Sequence, residues 1–363
     1  MSESIEVVAL LGTSFARLEH QGTRWRFLLR SWAEDPRVRR LVAVDFPKMS
    51  PRNLSGTDLA VTRSSWLEGC ELVEARVPVH RSTTLLAAPG WKRVGRALNA
   101  HLGAAQHHRV AVAATPLYGP LLRHLDAAPG FDAVDDWRAL PGVAHLHRHV
   151  VAGYAALRPA TSCSSVSEPL SDVLRTEFHL GAVTVPNGVD LRAYRQPQPA
   201  PPGLPERPFA VYVGVIQERF DLDLVEQVAA AGVPVVVAGP ASGEAADRLR
   251  AAPLTWLGPV DVDLVPGLLQ RASVGLVPHV VDPLTRSMDP MKVLEYLAAG
   301  LRVVTTPVAR SVQTDRLVEA TGDAFVEAVQ AALVAERPDD VDPAVLDRDW
   351  AAVARRVLEV HAR

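Results

Sequence analysis

A chain of 363 residues is long enough for two domains of ordinary size. Its net charge of −3 excludes a global basic field for nucleic acid, and two cysteines, Cys70 and Cys163, exclude a disulfide framework and fit a reducing, cytoplasmic setting. The opening MSESIEVVALLG has an acidic start and an apolar run too short for a signal segment or a membrane span, so it predicts a buried first strand.

Short apolar runs then alternate with helical patterns. In the first half, strands are predicted at 7–11, 41–45, 110–114, 131–134 and 182–185, and helices at 20–33, 91–101, 145–157 and 169–178. In the second half, strands are predicted at 210–215, 234–238, 254–257, 274–277 and 302–305, and helices at 221–231, 242–251, 264–271 and 291–299. Strands written as solid apolar runs are buried on both faces, and their alternation with helices implies doubly wound α/β domains with parallel sheets. The stretch QPQPAPPGLPERP (196–208) resists both helix and sheet interior and marks a linker. The chain therefore divides into a first α/β domain at 1–190, a proline-rich linker at 191–208, a second α/β domain at 209–340 and a C-terminal helical segment at 341–363. That segment is expected to pack back on the first domain. The crevice between two such domains is the expected ligand site.

The densest chemistry lies in SMDPMKVLEYLAAG (287–300). Asp289 suits an N-cap, Pro290 the first helical position and Gly300 the stop. Met291, Leu294, Leu297 and Ala298 form an apolar stripe, while Lys292 and Glu295 are neighbours off it. A helix N-terminus at Met291 with a lysine suits phosphate, and a carboxylate one turn on suits ribose hydroxyls. Together they match a nucleoside diphosphate.

Other clusters read more plainly. Asp135 and Asp136 follow a buried strand, at the edge that faces the ligand crevice in open α/β sheets, and are candidate catalytic and acceptor contacts. Asp221/Asp223 and Asp261/Asp263 mimic a DxD metal motif but precede helical patterns, where aspartates cap. His145, His147 and His149 fall in a helical pattern, where alternate residues diverge, so no metal site is expected. His20, after the first strand, is a candidate acceptor contact. Trp91 opens a helix with Lys92, Arg93 and Arg96 clustered beside it, read as a solvated basic face with at most peripheral contact with an anionic membrane. Cys70 and Cys163 have no histidine signature and read as inert.

VPNGVD (185–190), followed about a hundred residues later by KVLEYLAAGLRVVTT (292–306), resembles the retaining glycosyltransferases of family 4. FDAVDDW (131–137), GVIQERFDLDL (214–224) and VVVAGP (235–240) narrow the resemblance to the teichuronic-acid-type branch. The resemblance implies a GT-B fold of two Rossmann-like domains facing a central cleft. It implies that Glu295 holds the donor ribose, that Gly214 and its loop, with Arg219, meet the diphosphate, and that Gly239 belongs to the same donor site. It further implies that the turn 257–260, with Gly258 and Val260, reads the base, and that Gly12 and Thr13 close over the diphosphate and sugar. Many family members carry a second glutamate eight positions before the ribose-binding one; here Ser287 stands there. Asp289 and Asp282 are both candidates to replace it.

The implied function is metal-independent transfer of a hexose-type sugar from a UDP-, GDP- or dTDP-linked donor, with retention. The acceptor is a sugar, a lipid-linked glycan or a natural-product scaffold. Lys292 and Arg219 would stabilise the leaving diphosphate. A sugar-nucleotide epimerase, a phosphorylase, an inverting transferase, a two-lobed sugar receptor and a non-catalytic nucleotide-sugar-binding paralogue are the rival readings.

Overall fold

The computed structural model describes residues 4–50, 57–63, 66–78, 88–157, 161–206, 208–338 and 340–362. Two compact units emerge: Met1–Pro186 with Ala351–Arg363, and Asn187–Trp350. The boundary thus falls at Pro186, within the VPNGVD motif. The proline-rich stretch belongs to the second unit, where Gln198 donates its N–H to Gln270 Oε1 at 2.9 Å; Arg207 of that stretch lies outside the described residues.

The first unit holds β1 (Ile5–Leu10), β2 (Val38–Ser50), β3 (Asp58–Arg63), β4 (Cys70–Pro78), β5 (His108–Ala113), β6 (Ala128–Ala133), β7 (Ser162–Ser165) and β8 (Ala182–Thr184). They form one sheet in the order β3-β4-β2-β1-β5-β6-β7-β8, parallel except for the antiparallel edge pair β3–β4. The second unit holds β9 (Ala210–Val213), β10 (Val235–Ala238), β11 (Thr255–Gly258), β12 (Val274–Val277), β13 (Arg302–Thr305) and β14 (Leu317–Glu319). Their order is β11-β10-β9-β12-β13-β14, all parallel. Chain order reverses between β9 and β12, which makes their carboxyl ends the switch point where open α/β sheets take ligands.

Helices α1 (Phe15–Leu18), α2 (Arg24–Glu34), α3 (Ala88–Leu102), α4 (Gly119–Leu122), α5 (His147–Ala156) and α6 (Glu168–Phe178) belong to the first unit. The second contains α7 (Leu222–Ala230), α8 (Gly243–Ala251), α9 (Val265–Arg271), α10 (Met291–Ala298) and α11 (Gly322–Val334). The last helix, α12 (Trp350–His361), returns to the first unit, where Ala354 O accepts the indole N–H of Trp32 at 3.0 Å.

Solid apolar strands such as VVVA and VGLV are fully buried, as their composition dictates. Four strands escaped that criterion. β3 is largely exposed at the sheet edge, β4 (CELVEARVP) alternates polar and apolar residues, and β14 has only three residues. β7 (SCSS) is buried but polar: its hydroxyls bond inside the unit, Ser164 to Asp132 at 2.7 Å and Ser165 to Ser171 at 2.6 Å. Helix α11 was also unanticipated, although Phe325, Val329 and Ala332 line its buried side at helical spacing. The helix predicted at 145–157 divides into a 3-10 turn, Pro141–Leu146, and α5. Among the described residues no helix is long and apolar enough to cross a membrane.

Candidate functional site

Three neighbouring strands of the second sheet end in glycine. Gly214 follows β9, Gly239 follows β10 and Gly258 closes β11, with φ of 150°, 146° and 68°. A side chain there meets strain in this region of φ, and close packing forbids it at Gly239 and crowds it at Gly214. A Cβ on Gly239 would lie 1.9 Å from the Gly214 carbonyl oxygen, and one on Gly214 would lie 3.0 Å from Lys292 Nζ. The strands are tied by Gly214 N–H to Ala238 O at 2.9 Å and Gly239 N–H to Gly258 O at 2.7 Å. The result is a rim of backbone bare of side chains.

Helix α10 lies against this rim because β12 contains a glycine. A Cβ on Gly275 would be 2.2 Å from the Tyr296 ring, so only glycine admits the tyrosine, whose hydroxyl accepts the Val213 N–H at 3.0 Å. The expected N-cap is corrected. Pro290 occupies that position, and no side chain caps the helix. The Asp289 carboxylate turns instead to the N–H groups of Asn187 at 2.8 Å and Ser311 at 2.9 Å, and the Asn187 side-chain amide donates to Asp289 O at 2.7 Å. These bonds physically link the VPNGVD motif to the helix a hundred residues later. Their geometry also bears on Ser287: Asp289 is occupied, Asp282 accepts the Thr285 N–H at 2.8 Å in its own turn, and the buried Ser287 hydroxyl donates to Leu284 O at 3.1 Å.

Lys292, on the first turn of α10, donates to Tyr212 Oη at 3.0 Å and to His279 Nε2 at 3.3 Å, with Nζ 4.2 Å from the centre of the Tyr212 ring. His279 stands two residues beyond β12 and is 2% exposed. Its Nδ1 bonds the Arg219 carbonyl at 3.0 Å, so Nδ1 carries the proton and Nε2 is free to accept. Burial, reinforced by Lys292 and Arg219, pushes His279 down to about 2 and keeps it neutral. Burial and the nearby Arg219 guanidinium push Lys292 down to about 7, against the pull of Glu295. Burial raises Glu295 to about 7, against Lys292. Among the described residues, neither Lys292 nor Arg219 meets a carboxylate at ion-pair distance. Two cations that repel each other, beside a bare backbone rim, form a site for an anion.

Of the residues singled out from the sequence, the second unit brings Gly214, Gly239, Gly258, Arg219, Met291, Lys292 and Glu295 to one sheet edge. Val260 packs with Leu257 on the core beside β11. Tyr212 and His279 were missed. Their positions, on and just beyond the two switch-point strands, are the signal that would have found them.

In the first unit, Gly12 and Thr13 follow β1 at its own switch point with β5; Gly12 is hemmed by Ala114 and Trp137, each 3.5 Å from a Cβ placed there. Asp135 is half-buried beyond β6. Asp136 is buried and holds Arg138 through both carboxylate oxygens, at 3.0 and 2.8 Å, which is the work of a turn. His20 is exposed, 3.9 Å from Glu19. Asp221 and Asp261 cap, accepting the N–H groups of Leu224 and Asp263. His145 and His147 are exposed, and the described residues hold no metal-ligand cluster. Trp91 and both cysteines are buried, with Cys70 raised to about 12 by burial.

Residues 208–335 match the family described as glycosyl transferases group 1. A protein of Bacillus subtilis (strain 168) named for teichuronic acid biosynthesis, the glycosyltransferase TuaH, is 28% identical over 135 residues. That match spans about a third of each protein, 34% of this chain and 34% of the relative. Among solved structures, HepE of Anabaena in complex with UDP-glucose has a TM-score of 0.64 at 12% identity, covering 98% of both chains. The UDP-forming α,α-trehalose-phosphate synthase of Burkholderia vietnamiensis has 0.63 at 11%, covering 99% of this chain and 97% of that one. The lipopolysaccharide outer core galactosyltransferase WaaB has 0.62 at 11%, covering 98% of both. At these identities the likeness is one of fold: two Rossmann-like parallel-sheet domains of the GT-B type.

Proposed function

We propose that this protein is a glycosyltransferase that moves a hexose-type sugar from a nucleoside diphosphate donor to an acceptor hydroxyl, with retention and without a metal. One observation carries the reading: at the switch point of the second sheet Lys292 lies against the glycine rim with Arg219 near it, and neither meets a described carboxylate at ion-pair distance. The match of residues 208–335 to glycosyl transferases group 1 covers this same site.

In this reading the diphosphate lies along the rim of Gly214 and Gly239 and meets Lys292, Arg219 and the open N–H groups at Met291. The base lies by Gly258 and Val260, and Glu295 accepts from the ribose hydroxyls. Departure of the nucleoside diphosphate leaves an oxocarbenium-like sugar. Lys292 and Arg219 stabilise the charge that grows on the leaving group, in the role a metal fills elsewhere. With attack on the face of departure, the leaving phosphate accepts the acceptor's proton, and no carboxylate nucleophile is required. Of the first unit's residues, Gly12 and Thr13 are donor-side candidates, His20 and Asp135 are acceptor-side candidates, and Asp136 acts on its loop through Arg138.

Uridine is the first base to test, because HepE was solved with UDP-glucose and the Burkholderia enzyme is UDP-forming. TuaH and WaaB direct attention to cell-envelope glycans as acceptors; natural-product scaffolds are the second acceptor class, and work in the cytoplasm or at the inner membrane face is part of the same proposal. A thermal-shift panel of UDP-, GDP- and dTDP-hexoses should show one donor raising the unfolding temperature. Lys292→Ala and Glu295→Ala variants that bind and turn over that donor like the parent would sink the assignment. Anomeric proton NMR of the product reads retention directly.

A further inference from the structure

The Lys292 ammonium has three protons, and two of its directions are taken by neutral acceptors, Tyr212 Oη at 3.0 Å and His279 Nε2 at 3.3 Å. The Tyr212 hydroxyl donates to Val215 O at 3.3 Å, so its oxygen is left to accept. His279 presents an unprotonated Nε2 because its Nδ1–H is held by the Arg219 carbonyl, which also accepts the Val280 N–H at 2.9 Å. One histidine therefore does two things. It fastens the loop that carries Arg219 to the end of β12, and it turns Lys292 toward Gly214. The charged or titratable groups facing Lys292 are Tyr212 on β9, Arg219 on the following loop, His279 beyond β12 and Glu295 on α10 itself.

Resting on the reading of this site as a diphosphate site, we propose that His279 is its positioning residue: with Nδ1–H held by the Arg219 carbonyl, it presents Nε2 to Lys292 and aims the lysine at the glycine rim, where diphosphate capture favours the ammonium form. The proton that charges Lys292 comes from solvent or from Glu295, and no bond other than N–H is made. Burial and Arg219 hold the empty-site lysine near neutrality, at about 7. An entering dianion reverses the balance and favours the ammonium. The sign follows: below about pH 7 the lysine is already charged and capture needs no proton, whereas above it each binding event must charge the lysine.

The test is calorimetric titration of the full chain with UDP, GDP, dTDP and inorganic pyrophosphate, in buffers of different ionisation enthalpy, from pH 6.5 to 8.5. For whichever of these binds, proton uptake should rise above pH 7 and affinity should fall by up to about tenfold per pH unit. His279→Asn keeps an amide donor for the Arg219 carbonyl and removes the acceptor for Lys292; it should weaken binding about tenfold. His279→Gln, whose amide oxygen reaches the Nε2 position, should recover part of that loss. Uridine binding, which does not use Lys292, should be equal in both variants and serves as the check that they are folded. A His279→Asn variant that matches the parent in pyrophosphate affinity and pH profile overturns this inference while leaving the diphosphate reading standing. No binding of any of the four probes overturns both.

Discussion

Two charged clusters, one buried in the first unit and one half-buried in the second, are built in opposite ways. In the first unit Arg24 and Asp132, 1% and 0% exposed, pair through two bonds of 2.9 and 3.0 Å. Ser164 donates to Asp132 at 2.7 Å and meets His361 Nε2 at 3.0 Å; Ser162 meets His361 Nδ1 at 2.8 Å; and Arg24 also donates to Pro186 O at 3.2 Å. Every charge there has its opposite, and the network ties α12 and the end of the unit's main segment into one sheet. In the second unit Lys292 lies near Arg219 and hydrogen-bonds only neutral acceptors, with the Glu295 carboxyl near it but not at ion-pair distance. A buried charge left uncompensated is costly, and a fold keeps such a cost where a ligand relieves it. Under the proposed function, the difference separates a structural cluster from a binding one without reference to any motif.

Mutations break the comparison in order of effect. Asp132→Ala strands the Arg24 guanidinium and should remove roughly 3–5 kcal/mol of stability, read by urea denaturation. Lys292→Ala should do the reverse: sugar transfer falls by about 10²–10³-fold, while thermal unfolding without ligand is unchanged or shifts upward. A Lys292 variant that unfolds as readily as the Asp132 variant would erase the distinction. Glu295→Gln keeps shape and loses the carboxylate, so donor affinity should fall about tenfold, with KM more affected than kcat.

The smallest expected effect is a pH slope. Burial, with Arg24 adding to it and Asp132 opposing, lowers His361 from 6.5 to about 4. A histidine held neutral in the fold contributes stability that is present above its unfolded value and is lost as pH falls from about 6.5 toward 4. His361→Gln should flatten that limb of the stability profile by up to about 1 kcal/mol per pH unit, measured by denaturation at pH 7, 6 and 5.

Much of this was readable from the chain alone where neighbours in sequence carry the signal. The VVVA and VGLV strands, the Lys292–Glu295 spacing and the caps at Asp221 and Asp261 follow from local periodicity and local hydrogen bonding. Local rules failed where a polar residue found a distant partner. The SCSS strand reads as a loop until Asp132 and His361 are placed beside it, and Asp289 reads as a cap until Asn187 and Ser311 approach.

By itself, the sequence determined an α/β chain of two parallel-sheet series, because solid apolar runs and helical stripes are properties of consecutive residues. It determined a helix that presents a lysine and a glutamate one turn apart. Tertiary structure alone decided what surrounds that lysine. Tyr212, Gly214, Arg219 and His279 meet Lys292 only because the sheet order sets β9 beside β12, and a glycine in β12 lets Tyr296 bring α10 onto their ends. That meeting depends on which strands are neighbours in space, which no short window of sequence contains.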